Sequence, residues 1–116
     1  MKRSQETVRH ILKHIDEYDG KDISDEATLY HLKMMRASEM IDYETLRDGD
    51  VVHVIGLTLL EEGYDLLSYI TNDYVWEDVK NRIHEKQMDI DDVPTDVIKW
   101  LAEEMMKELF SNGSDI

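Results

Sequence analysis

His10 and His14 stand four residues apart, a spacing that puts two imidazoles on one helix face and that metal sites use. Glu6 and Glu17 lie close in sequence, yet spacing sets no third ligand. Both rings fall on the charged side of their segment, so a pair of solvated histidines accounts for them. The acidic pairs Asp16-Glu17, Glu61-Glu62, Asp91-Asp92 and Glu103-Glu104 have the residue type for acid–base work or for holding a divalent ion. None follows a calcium-loop spacing or joins a catalytic pattern, and they read as solvated charge. His31 beside Tyr30 is either a polar contact on an exposed helix or a side chain packed at a helix edge, and packing is the simpler account. No enzymatic activity, metal or cofactor is expected.

The cations form the other set with chemistry to offer. Arg3, Arg9, Lys13, Lys33, Arg36 and Arg47 are candidate nucleic-acid contacts, since lysine and arginine supply phosphate contacts. The net charge of −14 opposes them, because such a field repels a phosphate backbone at long range. Only the first fourteen residues run basic, with Lys2, Arg3, Arg9 and Lys13 against Glu6. Around Lys33 and Arg36, the acids Asp25, Glu26 and Glu39 offset the charge. The same acidity supports a reading of a different class: an inhibitor or nucleic-acid mimic that occupies the basic groove of a host or defence protein.

These side chains need elements to position them. Ser4 to Tyr18 predicts an amphipathic helix, with Val8, Ile11, Leu12 and Ile15 inward and Arg3, His10, Lys13 and His14 outward. Asp19-Gly20-Lys21 turns the chain, and Lys21-Asp22-Ile23 allows only a token strand. Ser24 or Asp25 caps a second helix, on which Leu29, Leu32 and Met35 repeat at three-residue steps. Met40-Ile41 opens a strand, and Asp48-Gly49 between β-prone runs predicts a hairpin from Tyr43 to Leu57. Thr58 and Glu61 have capping-box spacing for a helix from Leu59 to Ile70, in which Gly63 costs about 1 kcal/mol against alanine. Asn72 or Asp73 caps a helix to about Lys86 that buries Val75 or Trp76, Val79 and Ile83. An acidic linker leads to Pro94 and a last helix striped by Ile98, Leu101, Ala102, Met105 and Leu109. Val97, Trp100, Met106 and Phe110 widen that stripe beyond what a small core needs. Met and aromatic side chains suit adaptable interfaces, which makes Trp100, Met105, Met106 and Phe110 a candidate partner interface and a homodimer contact.

The 116 residues suit one domain, with residues 1–57 as its core, 58–110 as C-terminal helices and 111–116 as a frayed tail. There is no cysteine, hence no disulfide framework. No apolar run approaches the roughly 20 residues of a membrane span, and the start lacks the apolar stretch of a signal peptide, so a cytoplasmic protein without a membrane partner is expected.

Several short pieces recur in a familiar order: Met1-Lys2-Arg3, Val8-Arg9 with Ile11-Leu12, Tyr30-His31-Leu32-Lys33 with Met35, and Met40-Ile41. Leu57-Thr58, Glu62-Gly63-Tyr64-Asp65-Leu66-Leu67 and Asn72-Asp73 with Val75-Trp76 follow. In this order and spacing the chain resembles a group of short, uncharacterised proteins of phages, prophages and their bacterial hosts, classed as a domain of unknown function and expected to be winged-helix-like. The group tends to have Gly where Glu39 stands, Trp where Leu60 stands and His where Tyr64 stands. The stretch from Asp25 to Ile41 is also similar to the recognition helix and first wing strand of winged helices, where L-x-x-L-x-x-x-G-L-I is common. The resemblance implies a fold and no reaction. The expected architecture is therefore α+β and mostly helical: a reduced winged-helix-like domain of helix, short strand, helix and β-hairpin wing, extended by C-terminal helices. The expected role is a small binding or regulatory protein of phage type, acting mainly through an unidentified protein partner, with DNA a lesser candidate.

Overall fold

The computed structural model describes residues 2–114. Its elements run α1 (Gln5–Lys13), α2 (Ile15–Tyr18), β1 (Asp22–Ile23), α3 (Glu26–Ala37), β2 (Ile41–Asp48), β3 (Val51–Leu59), α4 (Glu61–Ile70), α5 (Asp73–Glu85) and α6 (Thr95–Ser114), with a 3-10 turn at Ile90–Asp92. The strands form one antiparallel sheet in the order β1-β3-β2. The fold is thus α+β and mostly helical, as expected. The chain divides into two units, Met1–Asp65 and Leu66–Ile116, and the division falls inside α4. Among the described residues no helix is long and apolar enough to cross a membrane.

In the first unit, Val8, Ile11 and Leu12 of α1 and Leu32 and Met35 of α3 are buried. So are alternate residues of the strands, Ile41 and Tyr43, Val52 and Val54, as period-two side chains on one sheet face should be. The expected single helix from Ser4 to Tyr18 is broken at His14, whose backbone leaves the helical region at φ −124°, ψ 37°. Its N–H reaches the carbonyls of both His10 and Ile11, closing α1 before α2 begins. Leu29 is only half-buried, and in its place His31 enters the core at 2% exposure. Nε2 of His31 accepts the Ser4 N–H at 2.8 Å and Nδ1 lies 2.7 Å from the carbonyl of Ala27. These two bonds assign the neutral ring with its proton on Nδ1. His31 therefore ties the start of α1 to α3.

Asp25 is the N-cap of α3, accepting the Thr28 N–H at 2.9 Å and the Thr28 hydroxyl at 2.6 Å. These bonds, the hydroxyl first, hold its carboxyl below the ordinary value. A carboxyl lowered in the folded state contributes stability that is present above about pH 4 and lost as the pH falls through the lowered value. Asp25→Ala should therefore flatten the acid limb: in thermal melts between about pH 4 and pH 2, the variant should lose less stability than the parent. Parallel limbs would contradict this.

At its other end α3 closes with a Schellman motif. Met40 N–H reaches the Met35 carbonyl and Glu39 N–H the Arg36 carbonyl, both at 3.0 Å, while Met35 and Met40 are buried together. Glu39 takes the left-handed position at φ 60°. The missing glycine has not removed the left-handed cap; the two backbone bonds, with Met35 and Met40 each buried, hold a glutamate there. Glu39→Gly should raise stability by about 1 kcal/mol by relieving that strain, read from the urea midpoint, and an unchanged or lower midpoint would refute it.

The hairpin turns through Gly49 and Asp50, with Asp48 opposite Val51. Gly49 supplies a positive φ of 61° at the first loop residue. Opposite Tyr43 the register slips, and Gly56 (φ 67°) and Leu57 share one partner position. This bulge resets the alternation so that Leu57 faces inward. Asp19 accepts the Leu57 N–H at 3.0 Å, which satisfies the bulge.

The capping box expected at Thr58 does not form. Thr58 and Leu59 instead pair with Asp42 and Ile41 in the sheet, and ladder pairing with a buried Ile41 outweighs one side-chain cap. α4 begins two residues later than expected, directly after Leu60, whose N–H bonds the Met40 carbonyl at 2.9 Å.

In the second unit Asn72 caps α5 by accepting the Val75 N–H at 3.1 Å. Val75, Trp76, Val79 and Ile83 are all buried, as are Ile98, Ala102 and Met105 of α6. α6 continues through Ser114, so the expected frayed tail is helical over residues 111–114. Residues 115–116 lie outside the described residues.

Candidate functional site

A helix stripe and a sheet face meet in one cleft. Leu29, Leu32, Lys33 and Arg36 are spaced i, i+3, i+4, i+7, one side of α3. Tyr43, Thr45 and Arg47 are alternate residues of β2, and Val52 and Val54 alternate residues of β3, so all five occupy one sheet face. Together these nine residues line a cavity of about 230 Å³. Leu32, Tyr43, Val52 and Val54 form a buried floor, and Lys33, Arg36, Thr45 and Arg47 an exposed rim. Its lining includes three cations and no carboxylate, in a chain of net charge −14.

Arg36 is the most constrained of the three. Its Nε donates to Asp42 Oδ1 at 3.1 Å, and its guanidinium lies 4.9 Å from the centre of the Tyr43 ring, a cation–π placement. Burial pushes the Tyr43 phenol up; Arg36 opposes the shift and Asp42 adds to it. The hydroxyl thus keeps its proton at neutral pH. The Arg36–Asp42 pair is about half exposed on both sides, so it is worth roughly 0–1 kcal/mol.

The six candidate nucleic-acid residues therefore separate. Lys33, Arg36 and Arg47 share this cleft. Arg9 and Lys13 line a different depression on α1 with Glu6, Thr7, His10, His14 and Tyr18, and Arg3 is half-buried and lines neither. His10 Nδ1 and the Tyr18 hydroxyl are 2.8 Å apart, and the His10 and His14 ring centres 4.5 Å. The histidine pair thus packs on itself and on Tyr18. At the hairpin tip Asp48 and Asp50 bracket the turn beside Arg47, an arrangement that repels a phosphate backbone.

The candidate partner interface on α6 also separates. Met105 is 4% exposed and belongs to the core, because it shares the inward stripe with Ile98 and Ala102. Trp100 and Phe110 are 59% and 69% exposed and lie about 80° apart around the helix axis, so they share a broad outward face. Phe110 also joins Met106 and Tyr69 in a shallow depression. What the sequence signalled at the cleft was the helical spacing of Lys33 and Arg36. Tyr43 and Thr45 were missed, although their alternation with Arg47 carried them.

No family model and no solved structure matches this chain. The chain is similar to an uncharacterized protein of Haemophilus influenzae, 29% identical over 124 aligned residues that cover 96% of this chain and all of that protein.

Proposed function

We propose that this protein is a small winged-helix-like binding or regulatory module of phage type, and that it works by protein contact through the cleft between α3 and the β2–β3 hairpin. The observation that carries the reading is the convergence of Lys33, Arg36 and Arg47 over an apolar floor with no carboxylate in the lining. The order helix, short strand, helix, hairpin, with β3 central in the sheet, supports the winged-helix comparison. Only Ser24 and Asp25 separate β1 from α3, which leaves no room for a further helix there. A protein partner is favoured over duplex DNA because the cations are divided between two depressions and the wing tip is acidic. The reading as an acidic mimic rests on the net charge alone.

Immobilised protein tests this reading against a variant reversed at the cleft (K33E, R36E, R47E) and one reversed on α1 (R9E, K13E). A partner held by the parent and by the α1 variant, but released by the cleft variant, is the expected outcome. Equal capture by both variants, or salt-sensitive duplex binding as the stronger activity, overturns it.

A further inference from the structure

Resting on that reading of the cleft, we infer the chemistry of what it takes: a short acidic peptide segment that buries one large apolar side chain and lays carboxylates against the rim. Three observations support this. The cavity, about 230 Å³, falls below the roughly 300 Å³ at which small-molecule pockets begin, so it has room for one or two side chains and none for a duplex. Its floor of Leu32, Tyr43, Val52 and Val54 is apolar and buried, which rewards an inserted hydrocarbon or ring. Its rim carries two guanidiniums, the groups whose planar fork matches a carboxylate.

Arg36 already displays the contact. Asp42 holds its Nε at 3.1 Å while the same guanidinium covers the Tyr43 ring, so Arg36 already pairs with a carboxylate from just outside the lining. Asp42 is then a competitor as well as a stand-in. The chain's acidity weighs less on a short peptide held at the rim than on an extended duplex that must also pass the acidic hairpin tip, because exposed charges more than about 8–10 Å away are largely screened at physiological salt.

Acetyl-Glu-Asp-Xaa-Asp-Glu-amide peptides, with Xaa as Phe, Leu, Val or Gly, are titrated into ¹⁵N-labelled protein, alongside a 16-base-pair duplex. The Phe and Leu peptides are expected to shift the amides of Leu29, Lys33, Tyr43, Thr45 and Arg47, and the Gly peptide to bind at least tenfold more weakly. Arg36→Glu with Arg47→Glu should weaken the Phe peptide at least tenfold with the remaining spectrum intact. Asp42→Asn should tighten it two- to fivefold by releasing Arg36, a gain that a merely structural Asp42 would not produce. Equal binding of the Gly and Phe peptides, or shifts away from the cleft, overturns the inference. Cleft shifts with the duplex alone overturn the peptide while leaving the cleft as the site. Silence of the cleft toward both ligands overturns the inference, while the function proposed above is decided separately by capture with the K33E, R36E, R47E variant.

Discussion

Replacing Gly63 with alanine is expected to lower the unfolding free energy by roughly 2–4 kcal/mol, a large effect for one methyl group. Helix propensity alone gives the opposite sign, since alanine is favoured over glycine by about 1 kcal/mol inside a helix. The reason for the reversal is where the first turns of α4 pass. A Cβ on Gly63 would lie 2.1 Å from the carbonyl oxygen of Met40, 3.0 Å from its carbonyl carbon and 3.3 Å from its Cα. That oxygen is already fixed, accepting the Leu60 N–H at 2.9 Å, and Met40 is itself held by the Schellman motif that ends α3. No flexible side chain can give way; backbone must move against backbone. Urea denaturation of the parent and Gly63→Ala reads the difference, and an equal or higher midpoint for the alanine variant would show that α4 does not cross Met40 this closely.

His31→Ala is expected to cost about 2–3 kcal/mol. Part is the cavity left by a side chain that is 2% exposed, and part is the Ser4 N–H, which loses its acceptor at 2.8 Å in a part-buried setting. His31→Phe restores the volume without the bonds and should recover only the packing share. The two contributions separate further by hydrogen exchange: the Ser4 amide should lose protection in both variants. Retained protection of that amide would contradict the tie between α1 and α3. Ser4→Ala acts elsewhere, removing the hydroxyl that caps Thr7 N–H at 3.2 Å, and serves as a comparison of about 1 kcal/mol.

The elements legible in the sequence were those whose local chemistry and burial agree. Val8, Ile11 and Leu12 repeat at helical spacing and are buried; Asp25 and Asn72 cap the helices they precede; Asp48-Gly49 marks the hairpin. The misreadings arose where a distant partner decided the outcome. Thr58 has a good capping neighbour in Glu61, but Asp42 lies opposite it in the sheet and the strand continues. Glu39 has a side chain that disfavours a positive φ, yet bonds to two carbonyls of α3, with Met35 and Met40 each buried, hold it there. Gly63 looked like a weak point because its neighbour, Met40, is 23 residues away in sequence. Met105 sat in a run of apolar residues too wide to resolve into inward and outward faces by spacing alone. The cleft was half legible: Lys33 and Arg36 stood out on α3, but their relation to Arg47, Tyr43 and Thr45 depends on the sheet face that the hairpin turns toward the helix.

Position-specific photo-crosslinking reads whether the α3–hairpin cleft is the face that meets a partner. Thr45 lines the cleft, whereas its neighbour Leu46 occupies the opposite sheet face at 63% exposure. A benzophenone amino acid placed at either position differs by one residue in sequence and by a full reversal of direction. In cells expressing these variants, a partner adduct is expected from position 45 that disappears when Arg36 and Arg47 are reversed, with little from position 46. An adduct from position 46 alone, or one from position 45 that survives the charge reversal, would contradict the cleft as the binding face.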